Sequence, residues 1–569
     1  MKKNKSFSVA VFALLATAVF ALSACSDKVY EEINTDPTKA NNVNPASQLT
    51  YAELQIFGDM NYVDVHRLYT YAFTQHLMGC WNTTNYGGQH RSDDNEMSRP
   101  WNNLYPAAIR NLTDAIHQTA DNPEQANINA ALRIFRVYVG GLLTDYYGDV
   151  PFTDAALGYL TGVTQPKYDT QEDLYRLFFN ELKEVTALFD INANSITSDP
   201  LFNGDINAWK IFANSLRLRY AMRISDVLPA LAEQEFKAAL NDGVMLSAAD
   251  DACVKHMNVT YNFGQEAYKD FRGNAMSKYF FGNDPENNPT YICSTFWNQL
   301  YNNADPRTTR LFRFYIDDFI SVTTGDGRVD MTDAVLATEA ENPGKVISLI
   351  APGEFSWDNW PTYTDFPGSA LANRVAEVQA AHPGYAPGSN PRWLKPKLAN
   401  NFLKSQNPGV LMTYAEVCFL RAEAAGVLGW ATGDDAQTMY EDGIRAAMDF
   451  LAANYDCAGI TDAEYAAYIA QPEIAYNAAN AKEQINTQAW ILNFHNPAEA
   501  WANVRRSDYP ALTPPDPAGK NPLINGNDIP VRLCYPLKEE TYSQQAYQEA
   551  KDRVTGDYSW HARLWWDVK

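Results

Sequence analysis

Between Asn127 and Phe152 the sequence reads NINAALRIFRVYVGGLLTDYYGDVPF, with apolar residues at Leu132, Phe135, Val139 and Leu142. Steps of three and four residues lay one apolar stripe along a helix. The stripe stops at Gly148 and Pro151, a helix terminator followed by an extended turn. The rule recurs in PAAIRNLTDAIHQTA, at Ile109, Leu112 and Ile116, then in DLYRLFFNELKEVTALF and INAWKIFANSLRLRYAMRISD. It returns in GVLMTYAEVCFLRAEAAGVLGW, where Leu411, Tyr414, Val417, Leu420, Ala424 and Val427 share a face, and in DAQTMYEDGIRAAMDFLA and AKEQINTQAWILNF. The helices come in pairs with short turns and many alanines. Small-against-large packing of such pairs predicts a mainly α fold on a tetratricopeptide-like scaffold.

From about 251 to 405 the texture changes. Pro352, Pro361, Pro367, Pro383, Pro387, Pro391 and Pro396 interrupt it, glycine is frequent, and little 3.6-residue period remains. This stretch reads as an irregular, loop-rich lobe inserted between helical halves at 49–250 and 406–569.

The amino terminus carries Lys2, Lys3 and Lys5, then an apolar run from Phe7 to Leu22 that ends at LSAC. A spanning helix needs about 20 apolar residues, so this shorter run reads as a secretory signal over 1–24. Small residues before Cys25 resemble a bacterial lipobox. Cys25 is therefore the expected lipidation site, and several acyl chains anchor far better than one. Residues 25–48 are polar and rich in Asn, Pro and Asp, and read as a lipidated tether or arm. Asp27, Glu31 and Glu32 resemble the acidic tag that sends lipoproteins to the surface of some Gram-negative cells.

A formal charge of −23 argues against nucleic acid or an anionic membrane face as partner, since both demand basic patches. Beyond Cys25 the cysteines stand at 80, 253, 293, 418, 457 and 534 with no CxxC pair. They read mostly as buried small hydrophobes, and a chain of this size does not need disulfides to fold.

At this point a family is visible. DYYGDVPFTDAA (145–156), PKYDTQEDLYRLFFNELKE (166–184), WKIFANSLRLRYAMRISD (209–226), VLMTYAEVCFLRAEAAG (410–426), INTQAWILNFHNPAEAWANVRRSDYPAL (485–512) and IPVRLCYPLKEE (529–540) run in order along the mature chain. Together they resemble the SusD/RagB family of nutrient-binding outer-membrane lipoproteins. The resemblance implies one domain over 49–569 held at the outer cell surface. It implies a lid over a TonB-dependent transporter of the SusC type that catches oligosaccharides or polysaccharides and passes them in. It also implies that Arg217, Arg219, Arg223, Glu416 and Glu423 belong to a shared scaffold, where they read as ion pairs between packed helices.

Enzymatic signatures are missing: there is no HExxH, GxSxG or GxxxxGK[ST]. TGDGRVD lacks the third glycine of a nucleotide loop and the alternate carboxylates of a calcium loop, and reads as a turn. The eight histidines do not pair at metal-ligand spacing. The expectation is a protein without catalytic residues, metal or cofactor. The alternatives are the same kind of lid for peptides or another nutrient, or an exported glycoside hydrolase, which needs only two carboxylates brought together in space.

Aromatic content is what remains to be explained, at 13 Trp, 33 Tyr and 27 Phe. A flat ring covers the C–H face of a sugar while neighbouring polar groups hold its hydroxyls. GCWNTTNYGGQHRSDD offers Trp81 and Tyr86 with Asn82 and Arg91, PGEFSWDNWPTYTDFPG offers Trp357, Trp360 and Tyr363 with Asp358, and CSTFWNQLYNN adds Trp297. Trp81 with Tyr86 and Trp357 with Trp360 are expected to form one shared platform. Trp101 reads as a packing anchor, and the tail YSWHARLWWDVK as a segment docked on the body.

Overall fold

A computed structural model describes residues 43–79, 84–259, 270–279, 290–316, 327–353, 361–387, 394–516 and 528–568. Contacts divide the chain into Met1–Asn44 and Pro45–Lys569. Only Val43 and Asn44 of the first unit are described, so the signal segment, Cys25 and most of the tether lie outside the described residues.

The second unit opens with helix α1 (Pro45–Gly58), four residues inside the stretch that reads as an arm. Proline at a helix start needs no N–H partner, so Pro45 begins α1 rather than blocking it. Helix α1 packs on α2 (Arg110–Thr119), α2 on α3 (Ala126–Tyr147), and α3 on α4 (Gln171–Thr186). Helix α5 (Ile206–Arg223) lies on α4 and pairs with α6 (Pro229–Asp242). Side chains cap the starts: Thr170 accepts from the Asp173 N–H, and Asp205 from those of Asn207 and Ala208. Helix α3 ends where the sequence predicts, with Gly148 at φ +88°, a conformation that favours glycine.

Among the described residues three helices of eight or more residues interrupt the lobe that shows little period: α7 (Ser294–Tyr301), α8 (Thr332–Glu341) and α9 (Ala370–Ala381). On α9 the buried Leu371, Val375 and Val378 do keep helical spacing, but the prolines at 367 and 383 that flank it disguise the pattern. On α8 the buried set is Thr332, Val335, Thr338 and Glu339, mostly polar, so no apolar stripe exists to be read.

The carboxyl-terminal half resumes with α10 (Tyr414–Gly426), which packs on α11 (Ala436–Tyr455) and α12 (Ala481–Leu492), and α12 on α13 (Pro497–Ser507). At Gly443 of α11 a Cβ would fall 2.6 Å from the Phe419 ring of α10, so the pair seats a large residue against none. That is the small-against-large logic of a tetratricopeptide-like scaffold, and the fold is mainly α.

The strands are short, and each of the four sheets among the described residues has two antiparallel members. β1 (Leu77–Gly79) pairs with β3 (Thr290–Ile292), and β2 (Ala252–Val254) with β8 (Gly409–Met412). β4 (Phe312–Arg313) pairs with β7 (Lys397–Leu398), and β5 (Tyr315–Ile316) with β6 (Val329–Asp330). The β2–β8 pair zips together the two ends of the insertion.

Arginine–carboxylate pairs lock the helices where the scaffold reading puts them. Arg223 donates to Glu499 at 2.6 Å, Arg506 to Glu423 at 2.7 Å, and Arg217 reaches Asp242 at 2.6 Å and Glu235 at 3.3 Å. Trp101 is buried against Tyr147 and Tyr168, as a packing anchor should be. The tail is docked: Trp560 and Trp566 are buried, and the Trp566 indole donates to Asp145 at 3.0 Å. Cys293 and Cys418 are buried and Cys253, Cys457 and Cys534 half-buried, all five as free thiols. No helix of the described residues is long and apolar enough to cross a membrane.

Candidate functional site

Of the nine residues singled out for sugar contact, Trp81, Asn82, Trp357, Asp358 and Trp360 lie outside the described residues. The backbone on which their segments are rooted is described, and it forms one patch. Gly79, the last described residue before Trp81, pairs with Thr290 in the β1–β3 ladder. Two residues beyond β3, the Ser294 N–H donates to the Ile350 carbonyl at 2.8 Å, and Cys293 bridges Ile350. Ile350 precedes the 354–360 segment, which carries Trp357, Asp358 and Trp360, by four residues. The Cys293 N–H in turn donates to the His76 carbonyl at 3.0 Å. Segments far apart in sequence are therefore tied to one backbone ladder, the first leaving it at the Gly79–Thr290 end and the second at the Cys293–Ile350 end.

A small apolar cluster of Ala72, Met78, Tyr291, Cys293 and Ile350 lies under this ladder. Lys395 Nζ sits 4.3 Å from the Tyr291 ring centre, so residues just after 388–393 come to the same place. The floor is rigid for a stated reason. His76 stacks on Trp490 of α12 at 4.5 Å and bonds to Thr74 Oγ1 and the Trp490 carbonyl, both at 3.0 Å. The Trp490 indole returns a bond to the Thr74 carbonyl at 3.0 Å. Burial pushes the His76 imidazole down to about 3, so it stays neutral. Gln75, in the left-handed region at φ 56°, turns the chain into β1, with Nε2 donating to the Thr513 carbonyl at 2.6 Å.

Tyr86 is carried on a π-helical turn, Thr84–Gly88, whose ring packs 6.0 Å from Tyr69. This turn presses on a second π turn, His66–Thr70: at Gly87 a Cβ would stand 2.5 Å from the Leu68 carbonyl oxygen. Such turns are frequent at functional sites. Arg91 follows, exposed, its N–H donating to the Tyr86 carbonyl at 2.8 Å. Tyr363 is half-buried at the head of the turn Tyr363–Asp365, close in sequence to α9.

Trp297 corrects the sequence reading. It is 2% exposed, on the same buried face of α7 as Phe296 and Leu300, stacked on Tyr301 at 5.2 Å and flanked by Phe314 at 5.6 Å. Its face is spent on the core. The ladder residues, by contrast, carry no signal in the sequence, because three-residue strands are too short to alternate. Among the described residues no three His, Cys, Asp or Glu side chains gather as metal ligands would.

A family model described as "Starch-binding associating with outer membrane" matches residues 37–328 and 371–536. The chain belongs to the SusD-like family. A solved SusD-like structure from Bacteroidetes AC2a is 74% identical to it, with TM-score 0.88, covering 93% of this chain and 100% of that one. A solved chitin-binding protein is 31% identical to this SusD-like chain, with TM-score 0.72 and coverage of 92% and 100%. A SusD homolog from Bacteroides uniformis ATCC 8492 shares the fold at 21% identity and TM-score 0.67, over 93% and 100% of the two chains. No curated protein matches.

Proposed function

We propose that this SusD-like chain is a cell-surface lipoprotein, anchored through Cys25 in the outer membrane, that captures oligosaccharides and delivers them to a SusC-type TonB-dependent transporter. It binds its ligand and does not turn it over. The observation that carries the binding reading is the common root of the aromatic segments, with Gly79 opposite Thr290 and Cys293 beside Ile350. Trp81, Tyr86, Trp357 and Trp360 are the platform residues, with Asn82, Arg91, Asp358 and Tyr363 as polar or flanking contacts.

The similarity to a chitin-binding protein at 31% identity makes chitin oligosaccharides the first ligands to try, and the starch-binding description of the family adds starch oligosaccharides. Calorimetric titration of both series against single and combined Trp81→Ala, Tyr86→Ala, Trp357→Ala and Trp360→Ala variants tests the proposal. A ring contact contributes about 0.5–1.5 kcal/mol beyond area burial, so the best single variants lose roughly tenfold in affinity. If all four rings can be removed from a folded protein with affinity unchanged, the platform is wrong.

A further inference from the structure

A cavity among the described residues is lined by none of the ladder residues. It holds about 770 Å³ between the turn at Gly148 and Asp149, the start of α4, and the carboxyl-terminal segment from Arg553 to Val568. The volume suits a ligand of one or two sugar rings.

Among the described residues its wall contains a charge without a counter-ion. Arg532 is 2% exposed, and among the described residues no Asp or Glu lies within ion-pair distance of it. One Nη donates to the Tyr147 carbonyl, and the guanidinium rests over Tyr535 at 5.2 Å and Tyr558 at 5.1 Å. Those contacts offset part of the desolvation, but Nε has no partner. The neighbouring charges are already matched: Arg553 is paired with Asp149 at 2.5 Å, Arg563 with Asp567 at 2.5 Å, and Glu172 with Arg176 at 2.7 Å. Among the described residues one positive charge is left over. A buried guanidinium in that position is costly unless a carboxylate or similar anion reaches it.

Two further residues of the lining each carry a buried, unsatisfied side-chain atom. Among the described residues His561 Nδ1 and Asp567 Oδ2 have no hydrogen-bond partners, and both residues line the cavity. An imidazole nitrogen and a carboxylate oxygen are suitable partners for sugar hydroxyls. Trp565, half-buried on the same wall and stacked on Tyr175 at 6.4 Å, supplies a flat ring.

We propose that this cavity is a second binding site, for an acidic saccharide of one or two rings whose anionic group pairs with Arg532. A neutral sugar of the same shape leaves the guanidinium unpaired, so the site discriminates by charge. Its lining includes none of the proposed platform residues.

Calorimetry on the detergent-solubilised mature protein with glucuronate, glucose and sodium acetate tests this. Glucuronate binds at least tenfold more tightly than either glucose or acetate, and Arg532→Gln abolishes that preference. Thr555, exposed on the same wall, allows a second variant: Thr555→Trp fills the space, blocks glucuronate, and leaves polysaccharide retention unchanged. Circular dichroism checks each fold, and should Arg532→Gln not fold, Thr555→Trp decides. Equal affinity for glucuronate and glucose, acetate binding as tightly as glucuronate, or glucuronate binding that survives Thr555→Trp overturns the site.

Discussion

Arg219 and Glu416, 197 residues apart, meet as a two-point pair, Nε to Oε1 at 2.6 Å and Nη2 to Oε2 at 2.8 Å. The same guanidinium also donates to the Leu411 carbonyl at 2.7 Å, so α5 is fastened both to α10 and to the strand before it. Both side chains are buried. Removing one partner strands a buried charge, which costs about 3–5 kcal/mol, whereas replacing both by apolar groups costs much less. Glu416→Leu therefore lowers the urea midpoint sharply, and adding Arg219→Met recovers a large part of the loss. Additive losses in this double-mutant cycle would show the pair to be uncoupled.

Asp251 gives a test in pH. Burial raises its carboxyl to about 7 although it accepts the Tyr414 N–H at 2.7 Å. The folded value lies above the ordinary one near 3.9, so the unfolded chain releases this proton first as pH rises. The stabilisation from Asp251 is complete below about pH 4 and is lost between there and about pH 7. Subtracting the stability of Asp251→Asn from that of the native sequence, by urea titration at pH 4 to 8, should give a difference that falls through this window and is flat above it.

His76, His66 and His495 act in the opposite sense. Burial holds each imidazole at about 3, below its ordinary value. Between about pH 6.5 and 3 the unfolded chain takes up protons that the folded chain refuses, so stability falls as the solution is acidified. His76→Gln shallows that acid limb in thermal melts at pH 4 to 7. An unchanged slope would mean that His76 ionises in place.

At Gly87 the test is steric. An alanine Cβ there meets the Leu68 carbonyl and, at 2.7 Å, the Ala72 methyl. Backbone atoms cannot rotate away, so the Tyr86 turn shifts at a cost of about 1–3 kcal/mol. Gly87→Ala is expected to weaken oligosaccharide binding while far-ultraviolet dichroism stays native. Full affinity in that variant would remove Tyr86 from the platform.

Cys25 is checked at the membrane. Cys25→Ala should abolish incorporation of a fatty-acid probe and release the protein into the soluble fraction. A labelled variant would place the lipid elsewhere.

What the sequence disclosed and what it withheld divide along range and chemistry. The helix ending at Gly148, the docked Trp566 and the ion pairs of Arg219 and Arg223 were legible because helices and long charged side chains leave local marks. Trp297 was misread because a loop-like composition around an aromatic ring looks the same whether the ring faces water or Phe314. The β1–β3 ladder was invisible because Met78 pairs with Tyr291 through backbone atoms common to every residue. Nothing local could announce that Arg532 would lie buried without a carboxylate, since that depends on side chains brought together only by folding.

The bonds from Cys293 to His76 and from Ser294 to Ile350 join peptide groups, not side chains. Peptide groups are indifferent to the amino acids strung beyond them. This gives the molecule a socket into which different tips can be fitted without renegotiating the core. If the proposed platform holds, transplanting residues 80–83 and 354–360 between relatives exchanges one ligand preference for another.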